Sequence, residues 1–163
     1  MLIAVDTNVL LDLAAEIDDV TDAISVIRRR VHKCQMVIPP TAREELAQEA
    51  IHGDVLHKLE SARRAFQMAR SLNIRPVDLP EFQNDAARRI GRRIRGSGLL
   101  PETEVNDALI LAETALLKCA ILLTSDAHIR GLDFTRLAFE LQTCDATAPI
   151  IATPREIVHK FFV

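Results

Sequence analysis

Four acidic residues, Asp6, Glu45, Asp107 and Asp126, stand where their side chains could act together. Asp6 closes the apolar run Leu2-Ile3-Ala4-Val5 and opens Asp6-Thr7-Asn8. Asp126 follows a second run, Ala120-Ile121-Leu122-Leu123, within Thr124-Ser125-Asp126. Short apolar runs that stop at a polar residue read as buried parallel strands. In open α/β sheets, ligands bind beyond the carboxyl ends of the strands. Two carboxylates at such ends, joined by two more from helices, make an oxygen-rich pocket. That chemistry suits Mg²⁺ or Mn²⁺, hard cations that prefer carboxylate and water. Without a cation, converging acids repel and raise one another's pKa.

The elements that must position these acids alternate strand with helix. Strands are expected at Leu2–Val5, Met36–Ile38, Asn73–Val77, Ala120–Leu123 and Pro149–Ala152. Helices are expected at Asn8–Ala15, Asp18–His32, Thr41–Ile51, Asp54–Ser71, Glu81–Arg95, Glu104–Lys118 and Pro154–Phe162. Val20, Ile24, Ile27 and Val31 recur at helical spacing in the second of these. Thr41 and Thr103 are read as helix caps, and Asp133 as the cap of a turn. The alternation predicts a mostly parallel sheet covered on both faces. The order of its strands is not legible.

Each acid has a position of its own. Asp6 suits a helix N-cap as well as a ligand. Asn8 is read as orienting the Asp6 carboxylate, a supporting role. Glu44 and Glu45 compete for one role. Asp107 lies near the start of a largely apolar helix, where an acid is costly unless a cation meets it, and Glu104 one turn earlier is a candidate auxiliary ligand. Asp126 repeats the logic of Asp6, and the hydroxyl of Thr124 is a candidate contact for water or phosphate. Asp12, Asp18, Asp19 and Asp22 read as solvated surface.

The formal net charge of −3 conceals an asymmetry. Residues 28–95 carry 15 Lys+Arg against 8 Asp+Glu, and the remainder carries 5 against 15. The densest positive stretch is Arg88, Arg89, Arg92, Arg93 and Arg95, with Ile90 and Ile94 on one face. Guanidinium groups suit phosphate, so this stretch is the best candidate for RNA contact. A solvated helix face, or a match to an acidic protein partner, accounts for it nearly as well. With no Trp or Tyr and six Phe, platforms for base stacking are scarce, which favours recognition by charge and shape.

These residues resemble the PIN-domain family, and within it the VapC-like ribonucleases. The anchors are Asp6-Thr7-Asn8, Glu45-Leu46 after Ile38-Pro39-Pro40, Asn106-Asp107-Ala108 opening a helix, and Thr124-Ser125-Asp126 after a strand. Together they span nearly the whole chain. The resemblance favours Glu45 over Glu44, since the family's acid directly precedes a leucine. It implies a three-layer α/β/α fold with a five-stranded parallel sheet, a divalent-metal-dependent nuclease acting on RNA, and a homodimer. It also admits the toxin of a toxin–antitoxin pair, with an antitoxin protein as partner. Extra helical sequence around residues 54–100 makes the chain longer than a minimal toxin of this type. A second reading is a catalytically idle PIN-like module that binds RNA or protein. An aspartyl phosphotransferase fits poorly, because it would want Asp-x-Asp where Asp6-Thr7-Asn8 stands.

Composition bounds the rest. A length of 163 residues suits one domain spanning 1–163. The first residues lack a basic segment and a long apolar run, and no stretch approaches the ~18 apolar residues of a membrane span, so a cytoplasmic protein is expected. Cys34, Cys119 and Cys144 are far apart, which suggests free thiols rather than zinc. His52 and His57 read as helix-surface residues.

Overall fold

Leu2–Val5 forms a four-residue strand, β1, whose Ile3, Ala4 and Val5 are fully buried. An all-apolar run of this length has no polar face to turn to water, so it belongs at the centre of a sheet. The computed structural model describes residues 1–52 and 56–162, with side chains through Lys160. After β1 come α1 (Thr7–Ala14), α2 (Asp18–Arg30), β2 (Gln35–Ile38), α3 (Pro40–His52), α4 (Leu56–Ser71) and β3 (Arg75–Pro76). The second half holds α5 (Glu81–Gly96), α6 (Val105–Leu116), β4 (Ile121–Leu123), α7 (Ala127–Arg130), α8 (Phe134–Gln142), β5 (Ile150–Ala152) and α9 (Pro154–Phe162).

The sheet runs β3-β2-β1-β4-β5, and every described pairing is parallel. This is the α/β architecture expected, with helices flanking a five-stranded sheet. The chain builds outward from β1 to β2 and β3, then returns to the other side of β1 as β4. The strand order therefore reverses between β1 and β4, and a crevice opens at their carboxyl ends. Val5 is level with Leu123 in the register, so Asp6 and Thr124 emerge side by side.

The expected elements appear with shifts at their ends. The third strand shrinks from Asn73–Val77 to Arg75–Pro76, because Pro76 has no N–H for a ladder and sits at the sheet edge. Asn73, at φ 51°, is instead the left-handed residue that ends α4. The start of the helix expected from Asp54 lies outside the described residues. Thr103 does not cap α6: the capping position is Glu104, whose side chain makes no capping bond. Two helices were not anticipated, α7 and α8. Asp133 caps α8 rather than a turn, accepting from the N–H groups of Thr135 and Arg136.

Thr41 is not a cap either. It lies inside the first turn of α3, which Pro39 and Pro40 enter without a side-chain acceptor. Glu113 of α6 fills that gap: its carboxylate accepts from the Thr41 N–H at 2.9 Å and from the Thr41 hydroxyl at 2.6 Å. Glu113 is only 5% exposed. Burial pushes its pKa up, while the two Thr41 bonds pull the other way. An acid from a neighbouring helix thus satisfies donors at the start of α3. It also clamps α3 to α6, the two helices that carry Glu45 and Asp107.

A candidate metal centre beside an arginine groove

Asp6 is 3% exposed and begins α1. Its Oδ1 accepts from the Thr7 N–H at 2.7 Å, and its Oδ2 accepts from the Thr124 hydroxyl at 2.6 Å. Thr124 is fully buried and in turn accepts from the Asp126 N–H at 3.0 Å. The hydroxyl read as a contact for water or phosphate is therefore committed inward, joining Asp6 to the start of the Asp126 turn. Asp126 Oδ1 caps α7, accepting from His128 and Ile129 N–H groups at 2.7 and 3.0 Å.

Asn8 departs from its expected role. Its Oδ1 accepts from the Ser125 N–H at 3.1 Å, so it ties α1 to the β4–α7 turn instead of holding Asp6. Asp12, one helical turn on, is half-buried and accepts from the Ser125 hydroxyl at 3.1 Å. It is part of the same brace, not the solvated surface expected.

On α3, Glu45 is half-buried and Glu44 is exposed. Glu45 accepts from the Thr7 hydroxyl and, at 2.7 Å, from the Asn106 amide. It therefore faces α1 and the start of α6. Asp6, Thr7, Glu45, Glu49 and Asp107 help line one pocket of about 340 Å³. Asp107 stands in the first turn of α6.

The electrostatics record the crowding. The Asp107 pKa is pushed up to about 7, first by burial, then by the charges of Asp126, Asp6, Glu104 and Glu45. Asp6 is raised to about 6, again mainly by burial, with Glu45 and Asp126 adding to it and its two hydrogen bonds opposing. Every charge that shifts these two groups is itself an acid. A pocket of carboxylates with no Lys or Arg among them fits a divalent cation, which would restore their ionised forms.

One closer group includes Asp107 of this pocket. Ligand atoms of Glu104, Asp107 and His128 all lie within 4.8 Å of one another, the one such trio among the described residues. His128 was missed from the sequence. The available signal was its place two residues after Asp126, legible once the cap of α7 is recognised. Glu113 was also missed, although an acid inside the apolar run from Ala108 to Ala115 was a visible anomaly.

The arginines divide. Arg88, Arg89, Arg92 and Arg95 line a cavity of about 620 Å³ against Val105 and Leu109 of α6, with Asp85 on the same wall. Arg93 points elsewhere and bonds Glu140 of α8 at 2.6 Å. Arg95 donates to the Glu102 carbonyl at 2.7 Å and so also holds the α5–α6 loop. Gly91 faces α6, where a Cβ would meet the Ala108 backbone at 3.5 Å, an ordinary van der Waals contact. The groove and the acid pocket thus share the first turns of α6, since Asp107 lies between Val105 and Leu109. His52 and His57 are exposed, as expected. The three cysteines are free.

Comparison with known proteins agrees with this architecture. A chain of the VapBC2 structure from Rickettsia felis, bound to a DNA fragment from its promoter, superposes with a TM-score of 0.65 at 13% identity. The match covers 94% of this chain and 98% of that one. A chain of VapBC-1 from nontypeable Haemophilus influenzae gives a TM-score of 0.61 at 13% identity, with the same coverage. No curated protein matches by sequence. The PIN domain family model matches residues 3–135, which takes in all four acids and the arginine stretch, and the chain belongs to the PIN-domain family.

Proposed function

We propose that this protein is a divalent-metal-dependent endoribonuclease that hydrolyses RNA phosphodiester bonds with Mg²⁺ or Mn²⁺. The observation that carries the reading is the meeting of Asp6, Glu45, Asp107 and Asp126 from four separate elements, with Asp6 and Asp107 raised by burial and by the neighbouring acids. Asp6, Glu45, Asp107 and Asp126 would hold the cation. When bound, it would supply charge stabilisation to the phosphate and lower the pKa of water. Thr124 and Thr7 fix the carboxylates of Asp6 and Glu45, so little reorganisation is needed when a cation arrives. The groove of Arg88, Arg89, Arg92 and Arg95 is proposed as the path of the RNA backbone.

The reading extends to a toxin with an antitoxin partner, supported by the likeness to chains of VapBC structures, and to a homodimer. An inactive binding module is the competing reading. The deciding experiment is cleavage of single-stranded and structured RNA with Mn²⁺, with Mg²⁺ and in excess EDTA. Metal-dependent cleavage abolished by chelation is expected. Cleavage that persists in EDTA, or none with either metal, overturns the proposal. For the dimer, sedimentation at tens of micromolar, on the order of a weak self-association constant, should show two chains.

A further inference from the structure

His128 stands on α7, a helix of four residues held by the Asp126 cap. Its side chain is 53% exposed, and its Nδ1 lies 3.8 Å from Glu104 Oε1. With Asp107 these residues form the trio whose ligand atoms all fall within 4.8 Å. Three donors from two elements thus meet, and Asp107 belongs to both the acid pocket and the trio.

The trio differs in kind from the pocket. The pocket offers oxygen only, while His128 adds a nitrogen. Mg²⁺ favours oxygen ligands in rigid octahedral geometry and keeps its waters; Mn²⁺ shares the preference for carboxylate and water but, as a first-row transition ion, also gains from a nitrogen donor, from which Mg²⁺ gains little. We propose that His128 is a nitrogen ligand to a cation shared with Glu104 and Asp107, and that it makes this centre select Mn²⁺ over Mg²⁺. The inference rests on the metal-dependent reading above and narrows it to the ion. It also gives the exposed His128 and the partly exposed Glu104 one shared role.

The test uses the full chain stripped of metal, titrated separately with Mn²⁺ and Mg²⁺ by calorimetry. The parent is compared with His128→Gln, which keeps a polar side chain of similar reach, and with Asp6→Asn. Outer partners of a metal site alone are worth ~10–100-fold in affinity. His128→Gln should therefore lower Mn²⁺ affinity by roughly tenfold or more while Mg²⁺ affinity changes little. Asp6→Asn should weaken both ions. A second readout is the imidazole proton spectrum of the five histidines, in which substoichiometric Mn²⁺ should broaden the signal missing from His128→Gln before the others. An unchanged Mn²⁺-to-Mg²⁺ ratio in His128→Gln, or a His128 signal no broader than those of His52 and His57, overturns this inference and leaves the nuclease reading standing. Failure of the parent to bind either ion overturns both.

Discussion

The Thr124 hydroxyl donates to Asp6 Oδ2 at 2.6 Å across 118 residues of sequence. The two residues follow β1 and β4, whose last pairing is Val5 with Leu123. This bond holds the buried carboxylate at the point where the strand order reverses. It also opposes the burial that raises the Asp6 pKa.

Thr124→Val should therefore raise the Asp6 pKa further and weaken cation binding near neutral pH, by roughly tenfold as for other outer partners. Thr124→Ser should restore it. The check is the melting-temperature gain on adding Mn²⁺, measured from pH 5.5 to 8.5, where the valine variant should need a higher pH to show the parent's gain.

The metal-free protein should lose stability as pH rises. Asp6 and Asp107 bind protons more tightly folded than unfolded, with pKa values raised from 3.8 to about 6 and about 7. The folded state then holds more protons between about pH 4 and 7, and stability falls through that window. For the buried Asp6 the effect is about 3 kcal/mol. Asp6→Asn and Asp107→Asn should each flatten the profile and raise the melting point at pH 8 without metal. Saturating Mn²⁺ should reverse the slope. Denaturant midpoints across pH, with and without EDTA, give the answer.

Asp6→Asn, Asp107→Asn and Asp126→Asn should each lower RNA cleavage by about a hundredfold or more, if losing a ligand costs at least what losing an outer partner does. Their folds should persist, since asparagine still caps a helix at positions 6 and 126, and at position 107 it removes a carboxylate that burial and neighbouring acids disfavour. Glu45→Gln should damage cleavage while Glu44→Gln leaves it near the parent, because Glu44 faces solvent. Single-turnover rates at matched Mn²⁺ distinguish the two glutamates.

Glu113→Ala should destabilise the protein by about 2 kcal/mol, because it leaves two donors of Thr41 without their acceptor. It should also lower metal affinity through loss of the α3–α6 clamp. Glu113→Gln should be tolerated, since its carbonyl can still accept from the Thr41 N–H and its amide can donate to the hydroxyl. Urea denaturation paired with Mn²⁺ titration separates the two effects.

Replacing Arg88, Arg89 and Arg92 together with Ala should weaken RNA binding and flatten its salt dependence, by roughly 0.7 in slope for each single-strand phosphate that is no longer neutralised. Arg93→Ala should change stability more than binding, because Arg93 pairs with Glu140. Binding measured in Ca²⁺ over a salt series tests both.

Local signals were enough to place β1, β2, β4 and most helices, because apolar runs and helical periodicity depend only on near neighbours. The same signals marked Asp6, Asp107 and Asp126, since an acid that ends an apolar run or interrupts an apolar face is conspicuous in one dimension, whereas Glu45 was separated from Glu44 only by the family resemblance. Which atoms those side chains touch depended on strand order, and strand order is set by how whole helices pack across the sheet. Only when β4 returned beside β1 did Thr124 meet Asp6, and Asn8 and Asp12 meet Ser125. The α3–α6 clamp joins Thr41 to Glu113 across 72 residues, a separation that no periodicity encodes. The arginines show the same limit. Their charge was evident in sequence, but helical rotation turned Arg93 towards α8 and left Arg88, Arg89 and Arg92 facing the groove beside Asp107.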